Sequence, residues 1–184
     1  MTSTLFLGGA RSGKSAHAEI LAAQSAREVV YIATGRAGDS EMAERIEHHR
    51  RTRPRHWQTV EEPLQLAGAI KRYAHPDRVV LVDCLTLWLT NLIFPPGCDY
   101  PEVGIIELPQ QFVKQRAALL ESLRHPAGPV ILVANEVGMG ITPLGAVSRC
   151  FVDEAGRLNQ AVAAVCDRVV LVAAGLPLVM KGSA

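Results

Sequence analysis

Five short apolar runs, separated by longer amphipathic stretches, constrain the fold more than any other feature of the sequence. Each run is rich in valine, isoleucine and leucine and lacks polar alternation, which is typical of strands covered on both faces. The stretches between the runs repeat apolar residues with the period of a helix. This alternation predicts an α/β fold with a mostly parallel sheet sandwiched by helices. The predicted strands are Thr4–Leu7, Val29–Ala33, Val79–Asp83, Val130–Ala134 and Val169–Ala173, and the predicted helices are Lys14–Ser25, Ser40–Arg51, Leu64–Ala74, Leu85–Ile93, Leu108–Arg124 and Asp153–Cys166.

The composition indicates one soluble globular domain over residues 1–184. Hydrophobic residues make up 48% of the chain and charged residues 20%, which argues against disorder. Its 19 basic and 18 acidic groups nearly balance, so no overall field attracts nucleic acid or an anionic membrane. No apolar run approaches the roughly 18 residues of a spanning helix, and the N-terminus lacks the basic segment of a signal peptide. We expect a cytoplasmic protein without a nucleic-acid or membrane partner.

Three other features carry no predicted chemistry. The four cysteines are scattered, with neither a CxxC pair nor Cys/His metal spacing, and we interpret them as reduced, buried apolar residues. Residues 95–104, PPGCDYPEVG, predict a loop. The C-terminal residues 175–184, GLPLVMKGSA, are expected to fray.

Residues 8–15, GGARSGKS, match the phosphate-binding pattern G-x-x-x-x-G-K-[ST]. Glycines permit backbone angles that turn successive N–H groups toward phosphate oxygens, and the following helix adds its positive end. Lys14 places a catalytic charge on the β- and γ-phosphates, and Ser15 offers a hydroxyl to Mg²⁺. A strand before and a helix after this loop indicate a P-loop NTPase of the RecA-like type, using Mg²⁺ with GTP or ATP and no permanently bound cofactor. The predicted cradle comprises Gly8, Gly9, Ala10, Arg11, Ser12, Gly13, Lys14 and Ser15.

An apolar strand that ends in a carboxylate, Val79–Asp83, supports this site. In P-loop proteins such an acid helps to hold Mg²⁺ together with the loop hydroxyl, here that of Ser15. A strand-ending aspartate also commonly caps the next helix, so both roles stay open for Asp83. The guanine-binding N-K-x-D tetrad and the protein-kinase motif set are absent from the sequence.

Residues 45–57, RIEHHRRTRPRHW, concentrate five arginines and three histidines in thirteen positions. On the predicted helix Ser40–Arg51, His49 lies on the apolar side and is a candidate for packing or orienting. His48 points away from that side and is free to meet a ligand. A neutral imidazole is nucleophilic near pH 7 and can carry a phosphoryl or nucleotidyl group.

Three interpretations of this basic segment stay open. Arg50 and Arg51 can neutralise a polyphosphate that His48 attacks. The arginines can instead form a solvated helix end, where positive charge suits the negative helix terminus. Alternatively, His56 and Trp57 can stack on the bases of a single strand, as in a RecA-like binding module, although no wider basic face supports this.

Several stretches together resemble one family, the bifunctional adenosylcobinamide kinase/adenosylcobinamide-phosphate guanylyltransferases of cobalamin biosynthesis. The resemblance spans nearly the whole chain. It implies that a nucleoside triphosphate phosphorylates the aminopropanol hydroxyl of adenosylcobinamide, and that GTP then donates GMP to that phosphate. The stretches are GGARSGKS, YIAT at 31–34, RIEHHRRTRPRHW followed by TVEE, VDCLTLWLTNL at 82–92, ANEVGMGITP at 134–143 and FVDEAGRLNQ at 151–160.

The resemblance also implies functional residues and an assembly. It implies that His48 attacks the α-phosphorus of GTP and carries the guanylyl group, and that the chain forms a homotrimer. The γ-phosphate is the usual target of a P-loop, so either the nucleotide sits differently in the two reactions or the helix with His48 moves. A small-molecule kinase whose basic segment only clamps phosphates remains the alternative. The nucleotide-lining residues that the resemblance implies are Thr34, Gly35, Arg36, Glu61 and Asp83. An ordinary turn is the alternative for the first three, and Glu62 is the alternative to its neighbour Glu61.

Overall fold

A computed structural model describes residues 3–36, 44 and 53–183. Within these ranges the chain forms seven strands and five helices. Of the predicted helix Ser40–Arg51, only Glu44 lies within the described residues. The strands are β1 Ser3–Gly8, β2 Glu28–Ala33, β3 Gln58–Glu61, β4 Arg78–Asp83, β5 Val130–Asn135, β6 Arg168–Ala173 and β7 Leu176–Lys181. The helices are α1 Lys14–Gln24, α2 Leu66–Tyr73, α3 Leu85–Ile93, α4 Gln110–Arg124 and α5 Ala146–Val165.

The described strands form one sheet in the order β3-β2-β4-β5-β1-β6-β7. Neighbouring strands from β3 to β6 pair in parallel, and β7 pairs with β6 antiparallel. The predicted α/β class with a mostly parallel sheet is therefore confirmed. Because parallel strands end at the same edge, the carboxyl ends of β1 to β5 meet at one side of the molecule, where open α/β sheets bind their ligands.

Apolar side chains cover both faces of the sheet, as the unbroken apolar runs predict. The larger core contains Trp88 and Phe112, whose ring centroids are 6.5 Å apart, and Trp88 Nε1 donates a hydrogen bond to the Leu64 carbonyl. The smaller core, on the other face, includes Tyr31 and Trp57. Burying a large apolar side chain contributes about 1.5–3 kcal/mol, so these two layers hold the strand ends in place.

Two strands were not predicted. β3 contains a single apolar residue in the sequence QTVE, so it lacks the apolar run that marks the central strands. β7 corrects the expectation that residues 175–184 fray, because residues 176–181 pair with β6 along most of that strand. A two-residue turn at Ala174 and Gly175, with φ of 52° and 79°, joins the two strands in the geometry favoured for tight hairpins. Both missed strands lie at the edges of the sheet, where side chains are exposed.

The last helix also differs from its prediction. α5 begins at Ala146 instead of Asp153, because Ala146 is buried and its N–H donates to the Glu102 carbonyl at 3.0 Å. The four other described helices and the five predicted strands agree with the sequence within two residues at each end. The cysteines were only partly predicted, since Cys84 and Cys166 are buried but Cys98 is exposed. None of the described helices is both long and apolar enough to cross a bilayer.

Candidate nucleotide-binding site

The loop between β1 and α1 has the backbone that the glycine pattern predicts. Gly13 precedes the first residue of α1 and has a φ of +95°, a backbone conformation that residues with a side chain rarely adopt. A Cβ on Gly8 would lie 2.4 Å from the carbonyl oxygen of Val172 in β6, so only glycine fits there. The Lys14 ammonium donates to the Gly9 carbonyl at 3.2 Å. The lysine is thereby held over the loop, with its side chain largely buried.

The first turn of α1 is available for an anion. Gly13 has no side chain, and within the described residues no side-chain cap satisfies the first N–H groups of this helix. Unsatisfied N–H groups and the helix dipole together make a helix start attractive to phosphate. Ser15 is the second residue of this turn and is partly exposed. Loop, lysine and helix start therefore form one positively polarised cradle.

Asp83 ends β4, two strands away from the loop. One of its carboxylate oxygens, Oδ2, accepts a hydrogen bond from the Tyr31 hydroxyl at 3.0 Å. Burial of Tyr31, followed by the charge of Asp83, raises the pKa of this phenol well above its ordinary value of 10.0, so the hydroxyl stays a donor. Sequence reasoning missed Tyr31. A phenol among the otherwise apolar residues Val29–Ala33 was the one indication that this position has a polar partner.

Tyr31 also contacts the start of the second described range. The Arg53 guanidinium lies 3.2 Å from the centroid of the Tyr31 ring, and its Nη1 donates to the Thr59 hydroxyl at 2.9 Å. Arg53 is 8% exposed, and its Nε has no hydrogen-bond partner among the described residues. Stacking over an aromatic face stabilises a guanidinium, most of all when it is desolvated. A continuous path therefore runs from Asp83 through Tyr31 to Arg53 and Thr59.

A groove of about 440 Å³ opens beside this path. Its described lining is Arg53, Pro54, Arg55, Trp57, Thr59 and Glu61. Arg55 and Glu61 are exposed, so the groove presents charges of both signs. Trp57 is 7% exposed and belongs to the smaller core, which leaves little of its ring for stacking on bases.

Thr34 lies with its side chain turned into the protein. It is fully buried, donates to the Cys84 carbonyl at 2.7 Å and accepts from the Cys84 N–H at 2.9 Å. Its own carbonyl accepts from Asn91 Nδ2 at 2.7 Å. These bonds fasten the end of β2 to the residue after Asp83. Gly35, partly buried, and Arg36, exposed, follow at the surface.

Four of the predicted site residues, His48, His49, Arg50 and Arg51, lie outside the described residues. Their roles remain predictions. The chain returns to the described part at Arg53, five positions after His48. Arg53 lines the groove and stacks on Tyr31, which donates to Asp83. After β5, the Glu136 N–H donates to the Gly8 carbonyl at 3.0 Å, and the Glu136 carboxylate accepts from the Gly138 N–H.

Magnesium fits the residues at this edge only in combination with a nucleotide. Mg²⁺ prefers oxygen ligands in an octahedral arrangement and is commonly held by one or two protein groups together with phosphates. The Ser15 hydroxyl and the Asp83 carboxylate provide such groups. Among the described residues, no group of three or more His, Cys, Asp or Glu side chains could hold a metal ion. Phosphate oxygens would therefore have to complete the coordination.

Comparison with known proteins identifies the family. The family model described as "Cobinamide kinase / cobinamide phosphate guanyltransferase" matches residues 4–180. The chain belongs to this family. It is 54% identical to the bifunctional adenosylcobalamin biosynthesis protein CobP of Pseudomonas aeruginosa, over 97% of this chain and 96% of that protein. It is 44% identical to the bifunctional adenosylcobalamin biosynthesis protein CobU of Escherichia coli, over 96% and 98%. The resemblance stated from the sequence, and the enzyme class it implies, are thus confirmed.

Solved structures resemble this member of the family in fold alone. A prototypical ATPase from a bacterial type III secretion system matches with a TM-score of 0.53 and 13% identity, over 97% of this chain and 56% of that one. The assembled secretion ATPase EscN of enteropathogenic E. coli matches with a TM-score of 0.55 and 15% identity, over 94% and 43%. These likenesses show that the chain shares the overall fold of the two ATPases.

Proposed function

We propose that this protein carries out two consecutive reactions on one small-molecule substrate. It first phosphorylates the aminopropanol hydroxyl of adenosylcobinamide with ATP or GTP. It then transfers GMP from GTP to that phosphate, which gives adenosylcobinamide-GDP and pyrophosphate. The observation that carries the proposal is the cradle of residues 8–15, with Lys14 held over it at the start of α1, in a chain of the cobinamide kinase family.

The kinase step uses the cradle for positioning and charge. Loop N–H groups and the Lys14 ammonium hold the triphosphate so that the substrate hydroxyl attacks the γ-phosphorus in line. A bond forms between the substrate oxygen, which loses its proton, and this phosphorus. The bond from this phosphorus to the bridging oxygen of the β-phosphate breaks, and ADP or GDP leaves. Ser15 and Asp83 would hold Mg²⁺ on the phosphates, where the ion offsets negative charge.

The guanylyl step uses His48 as a nucleophile. Its neutral imidazole nitrogen forms a bond to the α-phosphorus of GTP, and pyrophosphate leaves with the electrons of the broken phosphoanhydride bond. An oxygen of the substrate phosphate then displaces His48 and takes the GMP group. Lys14 and the loop N–H groups stabilise the charge of the leaving pyrophosphate.

The surrounding residues support this chemistry by position and charge. Arg50, Arg51 and Arg36 neutralise the nucleotide, His49 orients His48, and Glu61 lines the groove. Thr34 acts through the backbone, because its hydroxyl fastens the end of β2 beside Asp83.

We further propose that residues 1–184 form a single domain and that the chain is a homotrimer. Light scattering coupled to gel filtration would measure the oligomeric state.

Labelled GTP tests the proposal. Incubation with GTP labelled at the α-phosphorus should give an acid-labile label on the protein, and incubation with γ-labelled GTP should give none. A protein that takes no α-label would be a kinase alone. Label from the γ-position would contradict transfer of GMP through the enzyme.

A matched pair of variants locates the nucleophile. His48→Asn should abolish the α-label. His56→Asn should retain it, since His56 is exposed and does not line the groove. Equal loss in both variants, with both proteins folded, would count against a specific role for His48.

A further inference from the structure

The turn between β6 and β7 packs directly against the phosphate-binding loop. Gly175 N–H donates to the Ser12 carbonyl at 2.9 Å, and Nε2 of His17 donates to the Gly175 carbonyl at 2.8 Å. A Cβ on Gly13 would lie 3.4 Å from the Gly175 Cα. One turn residue thus bonds both to the loop and to α1, although it lies 158 positions from His17 along the chain.

The bond to Ser12 has a consequence for the loop's donors. In a trans peptide, the carbonyl and the N–H of the following residue point in opposite directions. Because the Ser12 carbonyl is turned toward the hairpin, the Gly13 N–H is turned away from it. That N–H belongs to the residue that precedes α1, where phosphate is expected to bind.

A glycine-rich loop needs such support. Glycine has more backbone freedom to lose than any other residue, so ordering residues 8–13 costs conformational entropy. When the loop is held in its binding conformation before the ligand arrives, this loss of entropy no longer weakens the affinity for the ligand. No motif in the sequence assigns a role to His17 or to residues 175–181.

We propose that the β6–β7 hairpin braces the P-loop, and that His17 and Gly175 are positioning residues for nucleotide phosphate binding. This inference rests on the proposed use of the P-loop as the nucleotide seat. The brace acts on the affinity for triphosphate. The stability of the fold depends instead on the core layers that the hairpin tip does not enter.

The same hairpin offers a matched control at its other end. Lys181 Nζ donates to the carbonyls of Ala163 and Ala164, both at 2.9 Å, near the end of α5. His17 and Lys181 therefore each fasten the hairpin by side-chain bonds to backbone carbonyls. His17 lies at the P-loop, whereas Lys181 lies at the far end of β7.

The experiment compares His17→Leu, His17→Gln and Lys181→Met in the full chain. Calorimetry measures the Kd of a non-hydrolysable GTP analogue, and thermal unfolding measures Tm. We expect His17→Leu to raise Kd about tenfold, the effect of roughly one lost hydrogen bond, with little change in Tm. His17→Gln, whose amide can donate, should restore most of the affinity. Lys181→Met should leave Kd within twofold of the wild type.

Two results would overturn the brace. One is a Kd for His17→Leu within twofold of the wild type, and the other is an equal rise in Kd for His17→Leu and Lys181→Met. Lys14→Ala separates this failure from that of the proposed function. If Lys14→Ala raises Kd while His17→Leu does not, only the brace is wrong. If neither raises Kd, the nucleotide does not sit on the P-loop and both proposals fail.

Discussion

The two sides of the candidate site are held by different kinds of contact. On the P-loop side, the loop is held largely by backbone contacts: Ser12 with Gly175 and Gly8 with Glu136, at a position where Gly8 has no room for a Cβ. On the groove side, at the ends of β2, β3 and β4, side chains make the connections, from Asp83 through Tyr31 to Arg53. The first side is therefore set by the course of the chain and the second by the identity of individual side chains.

This difference indicates that the two sides of the site have different tasks. A backbone cradle binds phosphates of any nucleotide in the same way, which suits a site that serves both phosphoryl and guanylyl transfer. A side-chain network can place a carboxylate and an arginine for one particular step. Substitutions on the P-loop side should consequently affect both reactions. Substitutions on the groove side should have smaller effects, whose size depends on the residue replaced.

The largest effect is expected for Lys14→Ala. Removal of the ammonium takes away charge stabilisation in both reactions, and loss of one such preorganised group typically costs 100-fold or more, roughly 3 kcal/mol. Initial rates of phosphoryl and guanylyl transfer, measured separately, should both fall by about this factor. Lys71→Ala, an exposed lysine on α2, is the control and should retain both rates. Loss of only one reaction in Lys14→Ala would break the idea of a shared cradle.

Asp83→Asn should come next. The amide keeps the oxygen that accepts from Tyr31 but removes the charge that attracts Mg²⁺, so the Mg²⁺ concentration for half-maximal rate should rise by roughly tenfold. Titration of the kinase rate with MgCl₂ measures this. Asp77→Asn, at a surface aspartate, serves as the control. An unchanged Mg²⁺ requirement in Asp83→Asn would contradict the proposed role of this residue in holding Mg²⁺.

The P-loop side was easier to predict from the sequence than the groove side, because one depends on backbone contacts and the other on side-chain contacts. The glycine pattern of residues 8–15 encodes a backbone shape, so the P-loop was visible in the sequence, as were the central strands with their apolar runs. Tyr31 and Arg53 are 22 positions apart and meet only because β3 pairs beside β2, and β3 has no apolar run. The brace of His17 and Gly175 depends on β7, whose exposed side chains gave no indication of a strand.

A pH-dependent effect of intermediate size is expected from two buried thiols, one near each side of the sheet. Burial raises the pKa of Cys84 and of Cys166 from 9.0 to about 11. Each thiol therefore ionises in the unfolded chain before it does so in the fold, and the stability it contributes is present below pH 9 and lost between pH 9 and 11. By pH 10 the loss is about 1 kcal/mol per thiol.

Urea unfolding at several pH values measures this loss. The free energy of unfolding should decline between pH 9 and 11 in the wild type and decline less steeply when both cysteines are replaced by alanine. The two single variants show whether Cys84 or Cys166 contributes more to this decline in the free energy of unfolding. An unchanged slope in the double variant would contradict the assigned cause.

The smallest effect is expected for Tyr31→Phe, which removes one hydroxyl and leaves the ring under Arg53. Loss of the hydrogen bond to Asp83 should raise the Mg²⁺ requirement two- to fivefold and lower the free energy of unfolding by about 1 kcal/mol. Tyr73→Phe, a tyrosine on α2 in the larger core, is the matched control. A loss as large as that of Lys14→Ala would mean that the groove side is as central to catalysis as the P-loop.

Mass spectrometry of the protein after incubation with GTP tests the central claim most directly, because it reports both the transferred group and its position. We predict a GMP adduct on the peptide that contains His48, lost on acid treatment, formed about 100-fold more slowly in Lys14→Ala and missing from His48→Asn. Absence of any adduct, or an adduct on another residue, would contradict guanylyl transfer through His48.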